Sequence, residues 1–172
     1  MSKKIILFLI IFFFSTNLFS EQKIVYLNMD KIITESIAGK KFINEYVKKK
    51  EKNIEIFKNT ENKFKKEETD ILLKKNILNN DEYNKIVKDF KKRLQEYKIK
   101  KSNTINNHEK IKIKGTNNLL IKIGPILEKY SIDNSISIIL QKKNILIGQK
   151  ELDITNLIMK KVNEKIKNIE IK

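Results

Sequence analysis

The sequence predicts an α+β protein in which a small body of strands and helices carries a long antiparallel helical hairpin. Three observations support this prediction. Apolar residues recur at steps of four and three through the middle of the chain. Short runs rich in β-branched residues, typical of strands, lie near both ends. Finally, the 172 residues include only 4 Gly and 1 Pro, too few for a protein built from many β-turns.

Residues 1–20 have the layout of a secretory signal peptide. Lys3 and Lys4 precede an unbroken apolar run over residues 5–14, and a short polar stretch then leads to Glu21. This run is shorter than the roughly 20 residues that a membrane-spanning helix needs, so an uncleaved anchor is the weaker alternative. We expect export and cleavage near Ser20.

The mature chain opens with a strand over residues 23–28, and its period changes at about Met29. A helix of about 45 residues is predicted from there, with one apolar seam along its length. The seam positions are Ile43, Val47, Lys50, Ile54, Phe57, Glu61, Phe64, Glu68 and Ile71. Six of these nine are apolar, which indicates an imperfect coiled coil.

A second long helix follows the interruption at residues 76–80, with Asn80 as its predicted N-cap and Asp81 and Glu82 in its first turn. Its seam positions are Tyr83, Val87, Phe90, Leu94, Tyr97, Lys101, Thr104, His108 and Ile111. Two seamed helices joined by a short turn predict an antiparallel hairpin over residues 40–114. The helix should continue toward Tyr130, with a kink or restart at Gly124-Pro125.

Beyond Asp133 the apolar period becomes two. Residues 135–140 and 145–148 predict a β-hairpin, and Asp153 or Thr155 can cap a last helix. Residues 21–39 and 115–172 would then form an α+β body from which the hairpin projects. We expect this body to self-associate, because its short strands leave open edges. The residues that we assign to the oligomeric body are Ile24, Tyr26, Ile136, Ile138, Leu140, Ile145 and Ile147.

The composition argues against catalysis. The sequence has no Cys and one His, which leaves little material for a zinc site, a thiol nucleophile or a Ser-His-Asp triad. His108 falls on the helical seam, and the acid pairs Glu67-Glu68 and Asp81-Glu82 are interpreted as surface and cap residues. We therefore predict that the protein is not an enzyme and has no metal site and no cofactor.

Positive charge is concentrated on the predicted hairpin. Residues 40–114 contain 23 Lys/Arg and 12 Asp/Glu, and they carry most of the net charge of +14 that remains after removal of residues 1–20. Only Arg93 is an arginine, which makes a specific nucleic-acid partner improbable because base recognition relies on bidentate Arg contacts. As a collective field the lysines would attract acidic chains or anionic membrane surfaces.

Two sets of residues on this hairpin are candidates for partner binding. The basic set is Lys65, Lys66, Lys74, Lys75, Lys91, Lys92 and Arg93. The apolar set falls outside the seam and consists of Ile56, Leu72, Leu73, Ile77, Leu78, Ile99 and Ile113. The alternatives are an ordinary solvated helix face for the basic residues and packing within the hairpin for the apolar ones.

Both ends of the mature chain resemble the Skp family of periplasmic chaperones, also called the outer membrane protein H (OmpH-like) family. Residues 24–33 read Ile-Val-Tyr-Leu-Asn-Met-Asp-Lys-Ile-Ile, and residues 35–40 read Glu-Ser-Ile-Ala-Gly-Lys. Near the other end, Tyr130, Ser131 and Asp133 precede the apolar run of residues 136–140, and Asp-Ile-Thr at 153–155 opens the last helix. The order of these motifs is more specific than any one of them.

The resemblance implies a homotrimer whose three bodies form a β-barrel and whose three hairpins enclose a cavity. It further implies an ATP-independent periplasmic holdase that keeps unfolded outer-membrane proteins soluble. Two alternatives stay open: a structural coiled-coil protein of the envelope, and a basic binder of polyanions or anionic lipids. A closed bundle without client binding would indicate the first, and salt-dependent binding to polyanions without preference for unfolded protein would indicate the second.

Overall fold

The structure is a computed structural model that describes residues 22–169, so the predicted signal peptide lies outside the described residues. Strand β1 spans Lys23–Leu27 and is followed by helices α1 (Met29–Glu35) and α2 (Ile37–Leu73). A 3₁₀ turn, Lys74–Asn76, leads to α3 (Asn80–Asp133). Strand β2 (Ile136–Gln141), the 3₁₀ turns Lys142–Asn144 and Lys150–Leu152, and helix α4 (Thr155–Lys165) complete the chain. The predicted α+β fold with a long helical hairpin is confirmed.

The single first helix that the sequence predicts is instead two helices, which separate at Ser36. The backbone of Ser36 is extended, and its buried side chain accepts a hydrogen bond from the N–H of Gly39 at 3.1 Å, which caps α2. A Cβ on Gly39 would lie 1.8 Å from the carbonyl oxygen of Ile33. Glycine at this position therefore permits the end of α1 to pack closely on the start of α2.

The turn of the hairpin is close to the prediction, with a shift of one residue in the cap. Asn79 is the N-cap of α3, and its side chain accepts the N–H of Glu82 at 2.9 Å. Asn80 is already helical, so its assignment as the cap is wrong. The two acids of the first turn, Asp81 and Glu82, are where the positive end of the helix dipole stabilises them.

The seam of α3 is confirmed at all nine predicted positions, which are buried or half-buried. On α2 the prediction holds at Ile43, Phe57, Phe64 and Ile71. It is wrong at five positions that are exposed, which are Val47, Lys50, Ile54, Glu61 and Glu68. The covered positions on α2 also include Phe42, Tyr46, Asn53, Thr60 and Glu67. A helix of 3.6 residues per turn drifts away from a strict 3.5-residue repeat, which displaces the contact face.

Helix α3 continues through Gly124-Pro125, so the expected restart does not occur. Pro125 cannot donate a hydrogen bond to the carbonyl of Ile121, but Ile121 is exposed and water can reach it. A Cβ on the residue before a proline clashes with the proline ring in helical geometry. Gly124 has no Cβ, and this absence helps the helix to pass Pro125.

The two strands form a parallel pair, with the whole helical hairpin between them in sequence. Ile24 pairs with Ile138, Val25 with Ile139, and so on to the end of β1. Ser135 precedes β2 with φ of 53°, the left-handed conformation that turns the chain out of α3. The inner face of the pair, which includes Val25 and Leu27, packs on the helices.

The predicted second strand of a β-hairpin, residues 145–148, is wrong. The chain leaves β2 through the turn at residues 142–144 and wraps around the side chain of Tyr26 instead. The Tyr26 hydroxyl donates to the carbonyl oxygen of Gln149 at 3.0 Å, and a Cβ on Gly148 would lie 2.8 Å from the Tyr26 ring. These contacts hold the segment away from the edge of β2.

Helix α4 is held against the start of the chain by two polar residues. The carboxylate of Asp153 accepts the N–H of Thr155 at 3.0 Å, so the predicted capping role falls to Asp153, although Ile154 occupies the N-cap position itself. Thr155 is buried, and its Oγ1 accepts the N–H of Asn28 at 2.8 Å. These hydrogen bonds join the beginning of α4 to the loop after β1.

A single core joins the two strands to parts of all four helices. The buried residues of this core are Val25, Leu27, Ile32, Ala38, Phe42, Leu119, Ile123, Ile126, Ile136, Ile154, Ile158, Val162, Ile166 and Ile169. All of them come from residues 25–46 or 115–169, so α2 and α3 leave the core and continue outward as the hairpin. The division at residues 40 and 114 stays a prediction.

Candidate functional site

Aromatic side chains lock the distal half of the hairpin along its inner seam. The ring of Phe64 lies 5.9 Å from that of Phe90 and 5.3 Å from that of Tyr97, and Phe57 lies 6.4 Å from Tyr97 on its other side. Such tilted and edge-on pairs stabilise more than their buried area alone. These rings pack against one another between the two helices. Only side chains outside the seam are therefore available to contact a partner.

Six of the seven predicted apolar contact residues are exposed, and Leu78 is half-buried. The structure brings Leu72, Leu73 and Ile77 together at the turn of the hairpin. Ile56, Ile99 and Ile113 stand alone on the flanks of α2 and α3. The predicted apolar set is therefore two surfaces, which we call the tip (residues 71–79) and the flank residues (Ile56, Ile99 and Ile113).

The predicted basic residues also divide into two groups. Lys65, Lys66, Lys74, Lys75, Lys91 and Lys92 are exposed, and within residues 22–169 none of them forms an ion pair. These six ammonium groups are open to a partner. Arg93 differs, because its guanidinium is already bound by carboxylates of both helices.

Arg93 connects α3 to α2. Its Nε donates to Asp89 at 2.9 Å, and its two terminal nitrogens bind the carboxylate of Glu67. The hydrogen bonds from Arg93 lower the pKa of Glu67, and those to Glu67 and Asp89 raise the pKa of Arg93. The bidentate geometry indicates that Arg93 fixes the register of the hairpin.

Glu61, Tyr97 and Lys101 form a second polar link between the helices. The carboxylate of Glu61 accepts hydrogen bonds from Lys101 and from the Tyr97 hydroxyl, the latter at 3.0 Å. Burial and the bond to Glu61 raise the pKa of Tyr97 to about 12, while the bonds from Lys101 and Tyr97 lower the pKa of Glu61. Although Lys101 belongs to the seam, its charge is thus neutralised locally.

The contact between Asn53 and His108 was missed by sequence reasoning. Nδ2 of Asn53 and Nε2 of His108 are 2.7 Å apart, and the His108 ring meets Tyr46 edge-on at 6.0 Å. Beside this pair lies a groove of about 360 Å³, with Phe57 and Ile105 among its apolar lining. The predicted seam passes through Ile54 rather than Asn53, so no sequence pattern indicates this polar pair.

No cluster of three or more His, Cys, Asp or Glu side chains that could bind a metal occurs within residues 22–169. Among the residues that the structure describes, His108 has Asn53 as its hydrogen-bond partner and no carboxylate or hydroxyl group bonded to it. Between residues 22 and 169 no helix is both long enough and apolar enough to cross a membrane.

The outer face of the strand pair is apolar, and the loop after β2 covers Tyr26 on this face. Ile24, Ile138 and Leu140 are exposed there, on the side away from the helical core. Leu146 and Ile147, in the loop after β2, are almost fully exposed. Of the residues assigned to an oligomeric body, Tyr26 and Ile136 are buried within one chain and Ile145 is half-buried, whereas the other four face solvent.

Comparison with known families matches residues 23–162 to the family described as outer membrane protein (OmpH-like). The chain belongs to the OmpH-like family. This match spans β1, the whole hairpin, β2 and most of α4. The resemblance that the sequence motifs indicate is therefore confirmed, and membership of the OmpH-like family supports a chaperone role. The family is non-enzymatic in general.

Solved structures show the same fold. A structure from Caulobacter crescentus CB15, described as an OmpH-like outer membrane chaperone, superimposes with a TM-score of 0.79 at 11% sequence identity. The alignment covers 87% of this chain and 88% of that one. Comparison with curated proteins finds no matching sequence. The OmpH-like fold is thus retained although few residues are identical.

Proposed function

We propose that this protein is an ATP-independent holdase of the periplasm, which binds unfolded outer-membrane proteins and keeps them soluble. The observation that carries the proposal is the surface of the hairpin. Its seam is closed by aromatic pairs, while the flank residues and the six lysines of the basic set are exposed. A surface of this kind can contact many unfolded sequences and requires none in particular.

Separated apolar contacts suit a chaperone that works without ATP. Each exposed isoleucine contributes a contact worth roughly 1 kcal/mol, so single contacts form and break rapidly while several together hold the client. Six exposed lysines add a field that attracts acidic unfolded chains. Together these contacts would allow the protein to bind an unfolded client and to release it without ATP.

We further propose that three copies assemble through the strand pair. Ile24, Ile138 and Leu140 form a partly exposed apolar face, and among residues 22–169 β2 has an open edge, whereas Asp153 and Ile154 partly occupy the outer edge of β1. Assembly would cover both the face and the edge of β2. It would also set several hairpins side by side, so that one client meets contacts from more than one chain.

The test is retention of an unfolded outer-membrane barrel protein. The client is unfolded in urea and diluted into the chain lacking residues 1–20, and the fraction left soluble is measured after centrifugation. We expect a stoichiometric soluble complex with the native protein and a lower yield with Ile56→Asn/Ile99→Asn/Ile113→Asn. The matched control is Ile121→Asn/Ile132→Asn, which changes two exposed isoleucines outside residues 40–114 and should retain the client. A structural envelope protein would leave the client to aggregate in every case.

A further inference from the structure

One side of the hairpin is incompletely filled near the middle of its length. Two seam positions of α3, Lys101 and His108, are polar there, and Nε2 of His108 lies 2.7 Å from Nδ2 of Asn53 on α2. In a coiled coil, apolar side chains normally occupy such positions and fill the space between the helices. A groove of about 360 Å³ therefore remains beside Asn53 and His108.

The walls of this groove are apolar and open to solvent. Ile54 from α2 and Ile105 from α3 line it and are 53% and 48% exposed, and the half-buried ring of Phe57 completes its apolar lining. We call this site the central groove and define it by Ile54, Phe57 and Ile105. Its volume is near the lower limit of ligand sites, roughly 300 Å³, which suits one side chain or a group of similar size.

Ammonium groups at the central groove favour an aromatic occupant over an aliphatic one. Three lysines line it, Lys50, Lys58 and Lys101, and Nζ of Lys101 already lies 5.5 Å from the centre of the Phe57 ring. A cation at this distance is attracted to the negative face of an aromatic ring, and an aliphatic side chain has no such face. A second ring in the groove would meet the same ammonium groups.

The charge of the lining favours acidic residues beside the bound ring. The three lysines face only two carboxylates, Glu61 and Glu109, and Glu61 is already bonded to Lys101. Lys50 and Lys58 lie four residues before and after Ile54, on the same face of α2. Both are exposed, and within residues 22–169 neither forms an ion pair. A carboxylate next to the ring can therefore pair with either lysine.

We propose that the central groove binds aromatic side chains of unfolded clients, preferentially those next to acidic residues. The proposal rests on the proposed function for the source of its ligand. Outer-membrane β-barrels have girdles of aromatic residues at both membrane interfaces, so an unfolded barrel exposes many rings. The flank residues contact any apolar segment, whereas the central groove adds a preference for one class of side chain.

Affinity for a short peptide is the first test. The probe is an unstructured peptide of Gly and Ser with a central Glu-Trp-Glu, whose emission reports on the ligand alone because the protein has no Trp. It is titrated with the chain lacking residues 1–20, which keeps the complete core. Saturable binding with a blue-shifted emission is expected, and Ile54→Asn/Ile105→Asn should weaken it about tenfold or more. The matched control is Ile56→Asn/Ile99→Asn, on two flank isoleucines of similar exposure, which should bind like the native protein.

Selectivity is measured by competition with the same peptide carrying another central residue. The Leu peptide should bind about two- to fivefold more weakly than the Phe peptide, since it lacks the attraction between ring and ammonium group. Replacing both Glu residues of the Trp peptide with Lys should weaken binding, and added salt should reduce this difference. Lys50→Gln/Lys58→Gln should reduce it as well. Lys91→Gln/Lys92→Gln removes the same charge from α3 outside the groove lining and is the control.

The position of the bound ring is determined by photo-crosslinking. A benzophenone amino acid replaces Trp in the peptide, and mass spectrometry identifies the crosslinked residues. We expect them within residues 50–61 and 101–109, and we expect this crosslink to be lost in Ile54→Asn/Ile105→Asn. Circular dichroism of each variant verifies that the helices are intact, since both changed side chains are exposed.

Three results would overturn the proposal: equal peptide affinity of the groove and flank double variants, equal competition by the Leu and Phe peptides, or crosslinks distributed along the whole hairpin. The client-retention assay separates this proposal from the proposed function. If the native protein leaves an unfolded barrel to aggregate but binds the peptide in the groove, the holdase function fails and the aromatic site stands. If the client is retained while the two double variants bind the peptide equally, only the aromatic site is refuted.

Discussion

The ring of Phe42 on α2 packs directly against the backbone of Gly115 on α3. A Cβ built on Gly115 would come within 2.2 Å of two carbons of the ring. Both residues are buried, and Phe42 belongs to the core that Leu119 and Ile123 continue. The two helices therefore approach each other closely where the hairpin enters the body.

In Gly115→Ala the ring of Phe42 must move within a packed core, which costs about 1–3 kcal/mol. The better helix propensity of alanine returns about 1 kcal/mol, so the free energy of unfolding should fall by up to about 2 kcal/mol. Urea unfolding at fixed protein concentration measures the change. In a Phe42→Leu background the same substitution should cost less, by at least about 0.5 kcal/mol. An equal cost in both backgrounds would contradict the assignment to this contact.

Asp153→Asn should destabilise the protein by about 1–2 kcal/mol at neutral pH. Burial of Asp153 raises the pKa of its carboxyl. Hydrogen bonds from Lys142, at 2.7 Å, and from Thr155 lower this pKa by more than burial raises it, so the pKa in the folded protein is below its usual value. The carboxylate therefore stabilises the fold above its unfolded pKa of about 3.9, and this contribution is lost as the pH falls through the folded value.

Urea unfolding between about pH 7 and pH 3 tests this linkage. The difference between native protein and Asp153→Asn should shrink as the pH falls below about 4. Glu151→Gln, on an exposed neighbour in the same loop, is the control and should stay within about 0.5 kcal/mol of native. A difference that is independent of pH would show that the charge of Asp153 is unimportant.

Lys92→Gln and Arg93→Gln should slow client capture to the same small extent, because each removes one positive charge from the same region of α3. A field acts mainly on the rate of encounter, so dissociation should change less. Added salt should reduce the association rate of the native protein in the same way. Stopped-flow mixing with an acidic unfolded barrel protein measures both rates. If the association rate changes neither with salt nor with either substitution, the basic residues do not contribute to client capture and form an ordinary solvated helix face.

The same two variants should differ in stability. Arg93→Gln loses the bonds to Glu67 and Asp89 that connect α2 with α3, whereas Lys92 has no ion pair to lose among the described residues. We expect a lower Tm for Arg93→Gln alone. Arg93→Lys keeps the charge without the bidentate geometry and should fall between the two. Identical melting curves would mean that the Arg93 bonds add nothing to stability.

The chain lacking residues 1–20 should have the mass of a trimer in light scattering at micromolar concentration. Ile138→Asp, which puts a charge on the apolar outer face of the strand pair, should reduce this mass. Ile121→Asp is the control, since it adds the same charge to an exposed position of α3. The helical content of both variants should be native. A native protein with the mass of one chain would refute the proposed assembly.

Deletion of residues 50–104, with a short turn joining the remaining helices, should leave an assembled oligomer that no longer retains clients. The core residues all lie outside the deleted segment, and so does the outer face of the strands. Light scattering and the client-retention assay separate the two properties. Failure of the shortened chain to assemble would show that the hairpin contributes to the oligomer interface.

Sequence periodicity predicted α3 better than α2, and the difference has a physical cause. Large side chains such as Phe90 and Tyr97 occur along the seam of α3, so only one face of this helix can pack against α2. On α2, Asn53 and Thr60 lie in the interface while Ile54 is exposed, because hydrogen bonding with His108 and helix drift outweigh hydrophobicity there.

The error in the body has a different origin. Residues 145–148 have the composition of a strand, but the segment is recruited by Tyr26, more than one hundred residues earlier in the chain. Similarly, Arg93 was predicted only as a partner-binding residue, and its bond between the two helices depends on Glu67 from the other helix. Local patterns contain no information on partners so distant in sequence, so the elements were predictable while these particular contacts were not.

The parallel pairing of β1 with β2 determines the order in which the chain can fold. Val25 must wait for Ile139, which is synthesised more than one hundred residues later. Bringing such distant segments together from a disordered chain is slow, because the intervening loop loses entropy on closure. The hairpin can reduce this entropy loss. Contacts around its turn are local in sequence, so we expect the hairpin to form from Ile71 and Phe90 toward Phe42 and Gly115 and thereby to bring the two strands together. The hairpin that we assign to clients is thus also the device that closes its own body.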